Sequence, residues 1–162
     1  MPTEKIVKAL GKGEPILVFD DFEREGETDI FFSAKHVTSE SVRLLREQGG
    51  GMVFLASDYT ASEKLGLPFA HDIYNAVSHD SKEFDLLKTM LSHTLPYDTR
   101  SSFSLFINHK DSFTGITDND RSLTATSFAE LIQDSAHMSD TDSRTRMAQS
   151  FRIPGHVPVC IA

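Results

Sequence analysis

Six carboxylates fall within ten residues, Asp20 to Asp29 (DDFEREGETD), and the run is bracketed by two β-rich apolar stretches, Ile16-Leu17-Val18-Phe19 and Ile30-Phe31-Phe32. That many charges of one sign cannot enter a core. The flanking stretches are too short for typical helices, and the first is uninterrupted, as strands covered on both faces are. The pattern therefore predicts a polar loop between two strands, the first of them buried.

Like charges at this spacing raise one another's pKa, so Asp20, Asp21, Glu23, Glu25, Glu27 and Asp29 call for something to offset their repulsion. A hard divalent cation such as Mg2+ is bound by one or two carboxylates plus waters, and a loop between fixed strands presents such oxygens. Arg24, inside the run, is suited to orient a carboxylate or to hold an anionic substrate bidentately. On composition alone, a solvated negative loop with no task accounts for the same residues.

Two further segments carry chemistry. In Arg152-Ile153-Pro154-Gly155-His156, Pro and Gly predict a sharp turn that sets His156 apart from regular structure, just before an apolar run. A histidine so placed suits acid/base work near neutral pH, and a turn histidine without a task is the plain alternative. Thr114 to Arg121 (TGITDNDR) is a polar turn in which Gly115, the hydroxyls and Arg121 are candidates to hold a phosphate. It does not match a P-loop, and an ordinary capped turn explains it equally.

The balance of 24 acidic against 16 basic residues, a formal charge of -8, disfavours partners that present phosphate backbones or anionic lipid. An anionic substrate must then be held by local cations, backbone amides or metal. The single cysteine, Cys160, forms no internal disulfide and no zinc spacing accompanies it. The N-terminal stretch has no hydrophobic signal core and no apolar run is long enough to span a bilayer, so no membrane association and a cytoplasmic location are expected.

Elsewhere the periodicities predict a helix over Ile6, Val7 and Leu10 capped by Thr3, and a helix over Val42, Leu44 and Leu45 capped by Thr38 or Ser39 and ended by Gly49. A strand is expected over Met52 to Leu55, then a helix start with capping-box spacing at Thr60 and Glu63. Residues 69 to 100 signal weakly, apart from one helical face at Phe84, Leu87 and Leu91. Phe103 to Ile107 alternates as a strand does, Thr126 to Gln133 reads as a helix, Asp134 to Gln149 as a long loop or marginal helix, and Val157 to Ala162 as a terminal apolar strand. Strands and helices mix without strict βαβ alternation, and the fold class predicted is α+β.

Taken in order, the acidic run, Tyr97-Asp98, Ser101 to Ser104, Asn108-His109, Phe113 to Arg121 and Arg152 to Val157 resemble the signature segments of the 3,4-dihydroxy-2-butanone-4-phosphate synthases, in particular the archaeal ones. The likeness runs from about residue 4 to the last residue, and several separated motifs in one order are far more specific than any one alone. It implies a three-layer α+β domain with a mixed sheet flanked by helices, and a homodimer with active sites at the subunit interface. The implied reaction converts D-ribulose 5-phosphate to L-3,4-dihydroxy-2-butanone 4-phosphate and formate in riboflavin biosynthesis. The implied cofactor is Mg2+ or Mn2+, two ions per site.

By the same resemblance Glu25 is the metal-ligand glutamate, Arg24, Glu25 and Asp29 meet substrate, Glu27 and Asp29 are acidic active-site groups, Thr114 lies near the substrate phosphate, and His156 is the catalytic histidine. Phe54 stands where the family carries a cysteine. The resemblance places an Arg-x-Gly-His-Thr segment and a catalytic glutamate beyond Ala162, so residues 1–162 are expected to be a single domain lacking its C-terminal part. Two rivals share these features: another metal-dependent phosphosugar isomerase or aldolase, and a non-catalytic member of the same family.

Overall fold

The computed structural model describes residues 2–23, 25–50, 52–80, 82–93 and 99–162. Arg24 and the Tyr97-Asp98 motif lie outside the described residues. In chain order the elements are α1 (Pro2–Gly11), β1 (Ile16–Phe19), β2 (Thr28–Phe31), α2 (Ser39–Gln48), β3 (Leu55–Ser57), α3 (Tyr59–Leu65), α4 (Ala70–Asp80), α5 (Asp85–Leu91), β4 (Phe103–His109), α6 (Asp118–Ser135), α7 (Asp140–Ser150) and β5 (Phe151–Ile161). Short 3-10 turns sit at Ala34–His36 and Lys82–Phe84. The class is α+β, as expected. Among the described residues no helix is long and apolar enough to cross a membrane.

Three strands form the main sheet in the order β3-β5-β4. The central β5 runs parallel to β3, with Leu55 opposite Val159, and antiparallel to β4, with Ile107 opposite Val157. Val157, Val159 and Ile161 are all buried on this central strand, as is Ile107 on its neighbour. The apolar run at residues 157–161 thus lies at the middle of the sheet, where both edges are hydrogen-bonded. Helix α6 packs on β4, β5 and α2, and brings Phe128 and Leu131 into the core, while α7 packs on β5 and α3.

β1 and β2 form a separate antiparallel ribbon, pairing Phe19 with Thr28 and Ile16 with Phe31. The polar loop between two strands is therefore correct, but the burial expected for β1 is not: Leu17 is 70% exposed, and Val18 and Phe19 are 43% and 46% exposed. A two-stranded ribbon outside the main sheet has too few neighbours to cover both of its faces, so an uninterrupted apolar run did not mean a core position.

Other boundaries shifted for local reasons. Helix α1 begins at Pro2, so Thr3 lies inside it rather than capping it. Helix α3 is capped by Asp58, whose carboxylate accepts the Ala61 N–H at 2.9 Å, which puts Thr60 inside the helix. β3 starts at Leu55 rather than Met52, because pairing with β5 begins there and continues through the buried Ser57, a polar residue that masks the strand. The weakly signalling stretch after residue 69 holds α4 and α5.

The polar segment 134–149 contains the regular helix α7. Ser139 caps it by accepting the Asp142 N–H, Asp140 and Asp142 sit in its first turn, and it buries only a narrow stripe, Ser143 and Met147, one helical turn apart. So thin a buried stripe leaves little apolar signal in the sequence. Helix α6 likewise starts eight residues before Thr126, capped by Thr117, so the polar turn at 118–121 is its first turn.

Candidate active site

The acidic loop is organised by its first aspartate. Asp20 Oδ1 accepts the Glu27 N–H at 2.8 Å and Oδ2 accepts the Glu25 N–H at 3.2 Å, while the Asp20 N–H donates to the Glu27 carbonyl. Asp21 accepts the Glu23 N–H through its side chain and the Gly26 N–H through its carbonyl. Gly26 takes φ +65, the left-handed conformation that lets the chain turn back into β2. Two of the six carboxylates therefore hold backbone, which leaves the four of Glu23, Glu25, Glu27 and Asp29 outside that framework.

Glu25 and Glu27 meet. The Glu25 charge first, and then a hydrogen bond between the two side chains, raises the Glu27 pKa, with burial, Asp29 and Asp20 adding to it. Among the described residues no group of three or more His, Cys, Asp and Glu side chains is arranged to hold a metal. The donor chemistry nonetheless fits a hard divalent ion, since Mg2+ takes one or two carboxylates and completes its shell with water and substrate oxygens. Two mutually repelling carboxylates are the arrangement that such a charge relieves.

Below this loop lies a cleft of about 500 Å3, edged by Glu27 and Asp29 and walled largely by apolar side chains, among them Leu45, Phe54 and Val157. Phe54 stands edge-on to Phe103, with ring centroids 6.4 Å apart. Arg121 brings the cation to this lining. Its Nη2 donates to Asp118 Oδ1 at 3.2 Å, and Asp118 in turn accepts two hydrogen bonds from Arg46, at 3.3 and 3.1 Å. The Arg46 hydrogen bond, ahead of either arginine's charge, holds Asp118 below the usual carboxylate range. Arg121 Nε is buried and has no hydrogen-bond partner among the described residues.

Thr114 and His156 do not line the cleft, although Val157, next to His156, does. They belong to a second cluster. Asp120 accepts the N–H groups of Phe113, Thr114 and Gly115 and the Thr114 hydroxyl, at 2.8 to 3.2 Å, and the Gly115 N–H foremost holds its pKa down at about 2. The polar turn expected to hold a phosphate is thus already occupied by the protein's own anion. Gly115, at φ +86, lies flat against the Asn108 side chain, where a Cβ would collide with the amide. Asn108 in turn bonds His156.

The sharp turn expected at Pro154-Gly155 does not break the chain: Phe151–Ile161 runs as the single strand β5, so His156 lies within regular structure rather than ahead of it, and Pro154 and Gly155 mark an irregularity in the pairing of that strand. Ile107 pairs with Val157 and the next residue, Asn108, with Arg152, leaving residues 153–156 as an insertion in one strand. Glu25 and Asp29 lie close enough to Glu27 to raise its pKa, whereas the sequence assigned no role to Asn108, Asp118 or Asp120. The signal available for Asp120 was its position three residues after the capping Thr117; for Asn108 there was none beyond the Asn108-His109 motif itself.

Residues 4–162 match the family model described as 3,4-dihydroxy-2-butanone 4-phosphate synthase. A relative of that name from Archaeoglobus fulgidus is 42% identical over 154 residues, covering 95% of this chain and 62% of its own length. Another from Methanothermobacter thermautotrophicus is 40% identical over 154 residues, covering 95% and 63%. The chain thus spans under two thirds of the length of these curated relatives. A crystal structure of 3,4-dihydroxy-2-butanone 4-phosphate synthase in complex with two magnesium ions superimposes with a TM-score of 0.61 at 21% identity, covering 99% of this chain and 59% of that one. The match spans both the acidic hairpin and the Asn108–His156 cluster, and on it the chain belongs to the 3,4-dihydroxy-2-butanone 4-phosphate synthase family.

Proposed function

We propose that this protein converts D-ribulose 5-phosphate to L-3,4-dihydroxy-2-butanone 4-phosphate and formate, a lyase step of riboflavin biosynthesis, in the cytoplasm. Residues 1–162 belong to a single domain of the protein, and match under two thirds of the length of the curated relatives. The reading is supported above all by Glu27, which lies beside Glu25 and lines a cleft together with Asp29 and Arg121, in a chain of this family. We assign Mg2+ or Mn2+, two ions per site, with Glu25 as ligand and Glu27 beside it. Bound metal supplies Lewis acidity to the substrate's oxygens.

The chain's own residues do the rest. Glu27 and Asp29 exchange protons at the carbon next to the substrate carbonyl, and His156 serves acid/base work from the strand insertion. Arg24 and Thr114 are assigned to substrate, and the Thr114 hydroxyl leaves Asp120 to donate to a phosphate. The apolar walls exclude water from intermediates that it would divert. Two copies of the protein, with active sites at their interface, form the working unit.

Formate release tests the reaction. The purified protein, supplied with ribulose 5-phosphate, is expected to release formate with Mg2+ and to stop when the ion is chelated. Isomerisation without formate would move the assignment to the phosphosugar isomerases. Saturable Mg2+ binding without any turnover would leave a binding protein in which Phe54 has closed the pocket to chemistry.

A further inference from the structure

The contact between Asn108 and His156 is more specific than a packing contact. The His156 backbone N–H donates to Asn108 Oδ1 at 2.8 Å, and Asn108 Nδ2 lies 3.1 Å from His156 Nδ1. A backbone N–H only donates, so the amide atom that faces it is the oxygen, and the amide cannot be turned over. The other amide atom is an NH2 group, which also only donates. The ring nitrogen opposite it therefore carries the lone pair.

The surroundings hold this arrangement in place. Asn108 is 3% exposed, and its amide is covered on one side by Gly115, whose missing Cβ makes the approach possible. In a regular ladder Asn108 would pair with His156 through the backbone, whereas here it pairs with Arg152. The insertion at 153–156 thus withdraws one backbone partner, and the Asn108 side chain takes its place. His156 itself is exposed, and among the described residues its side-chain hydrogen bond is made through Nδ1 and not Nε2.

From this we infer that Asn108 is the positioning residue of His156: it holds the neutral imidazole as the Nε2–H tautomer and directs that N–H, as a hydrogen-bond donor and not as a base, toward substrate oxygen. The inference narrows the acid/base work proposed for His156 to that of a proton donor, and rests on that proposal for its catalytic consequence, though not for the tautomer. With Nδ1 covered by the amide, the neutral ring has no lone pair to offer at the exposed side. Abstraction of the substrate proton then falls to the carboxylates Glu27 and Asp29.

Long-range 15N–1H spectra of the histidine rings, recorded on the purified protein at a pH where the rings are neutral, read the tautomer directly. His156 is expected as Nε2–H. An Nδ1–H ring, or averaging between the two forms, in the wild type would overturn the inference without any variant being made. Asn108→Asp replaces the NH2 by an acceptor, and is expected to switch the ring to Nδ1–H and to lower kcat by roughly tenfold or more with a smaller change in KM. A ring that stays Nε2–H in this variant also overturns it. A switched ring with unchanged formate release would leave the tautomer assignment standing and remove His156 from the reaction.

Discussion

The two halves of the candidate site are built on opposite plans. The acidic hairpin is exposed, its strand faces are largely uncovered, and the charge of Glu25 pushes the Glu27 pKa up. The cluster around Asn108 lies on the main sheet, where Asp120 is bonded by three backbone N–H groups and a hydroxyl, and Asn108 and Thr124 are buried with their side chains bonded. One side holds unbalanced charge, and the other holds satisfied polar groups in a packed frame. A site that must accept and release a charged ion and substrate needs the first kind of surface; a group that must keep one orientation needs the second. The comparison predicts that substitutions in the hairpin change ligand binding with little effect on stability, and that substitutions in the frame do the reverse.

The largest effect is expected at Glu25. Glu25→Gln removes a charge from an exposed loop without emptying a core, so Mg2+-dependent formate release should vanish while the circular dichroism spectrum stays as in the wild type and Tm does not fall. Activity within threefold of wild type would remove Glu25 as a metal ligand. Next comes Gly115→Ala, which sets a side chain at φ +86 and against the Asn108 amide, and should destabilise by about 2–4 kcal/mol in urea unfolding. A loss as small as that of a surface substitution would mean that the turn yields, and the frame would then be no more rigid than the hairpin.

Asp120 gives a smaller effect with a defined pH dependence. Its folded pKa, about 2, lies below the ordinary 3.8, so the stability it contributes is present above 3.8 and is lost as pH falls toward 2. Asp120→Asn should therefore flatten the acid limb of Tm against pH, and an unchanged limb would show that the turn does not depend on the carboxylate. The smallest effect belongs to Glu27, whose folded pKa is raised. Its contribution is most favourable below the ordinary 4.5 and is lost as pH rises through the folded value. Glu27→Gln should raise Tm slightly at neutral pH in metal-free buffer and leave it unchanged well below 4.5. A fall in Tm at neutral pH would show that the Glu25–Glu27 pair is not under the repulsion described.

The sequence by itself determined the class of the fold, the loop between two strands, and the clustering of carboxylates on that loop. It did so because charge clustering, alternation and helix caps are local properties, readable over a few residues. Thr38 illustrates this: its capping role before α2 needs only Ser41, three residues on. Tertiary structure alone decided that β1 is exposed while Val157 to Ile161 is central, though both read as short apolar runs, because burial depends on which strands come to lie alongside. It also decided that Thr114 is engaged by Asp120, and that Asn108 reaches a histidine 48 positions away across a strand insertion. The identity of a hydrogen-bond partner brought in from another strand is set by sheet register, and register is a property of the pair of strands rather than of either segment.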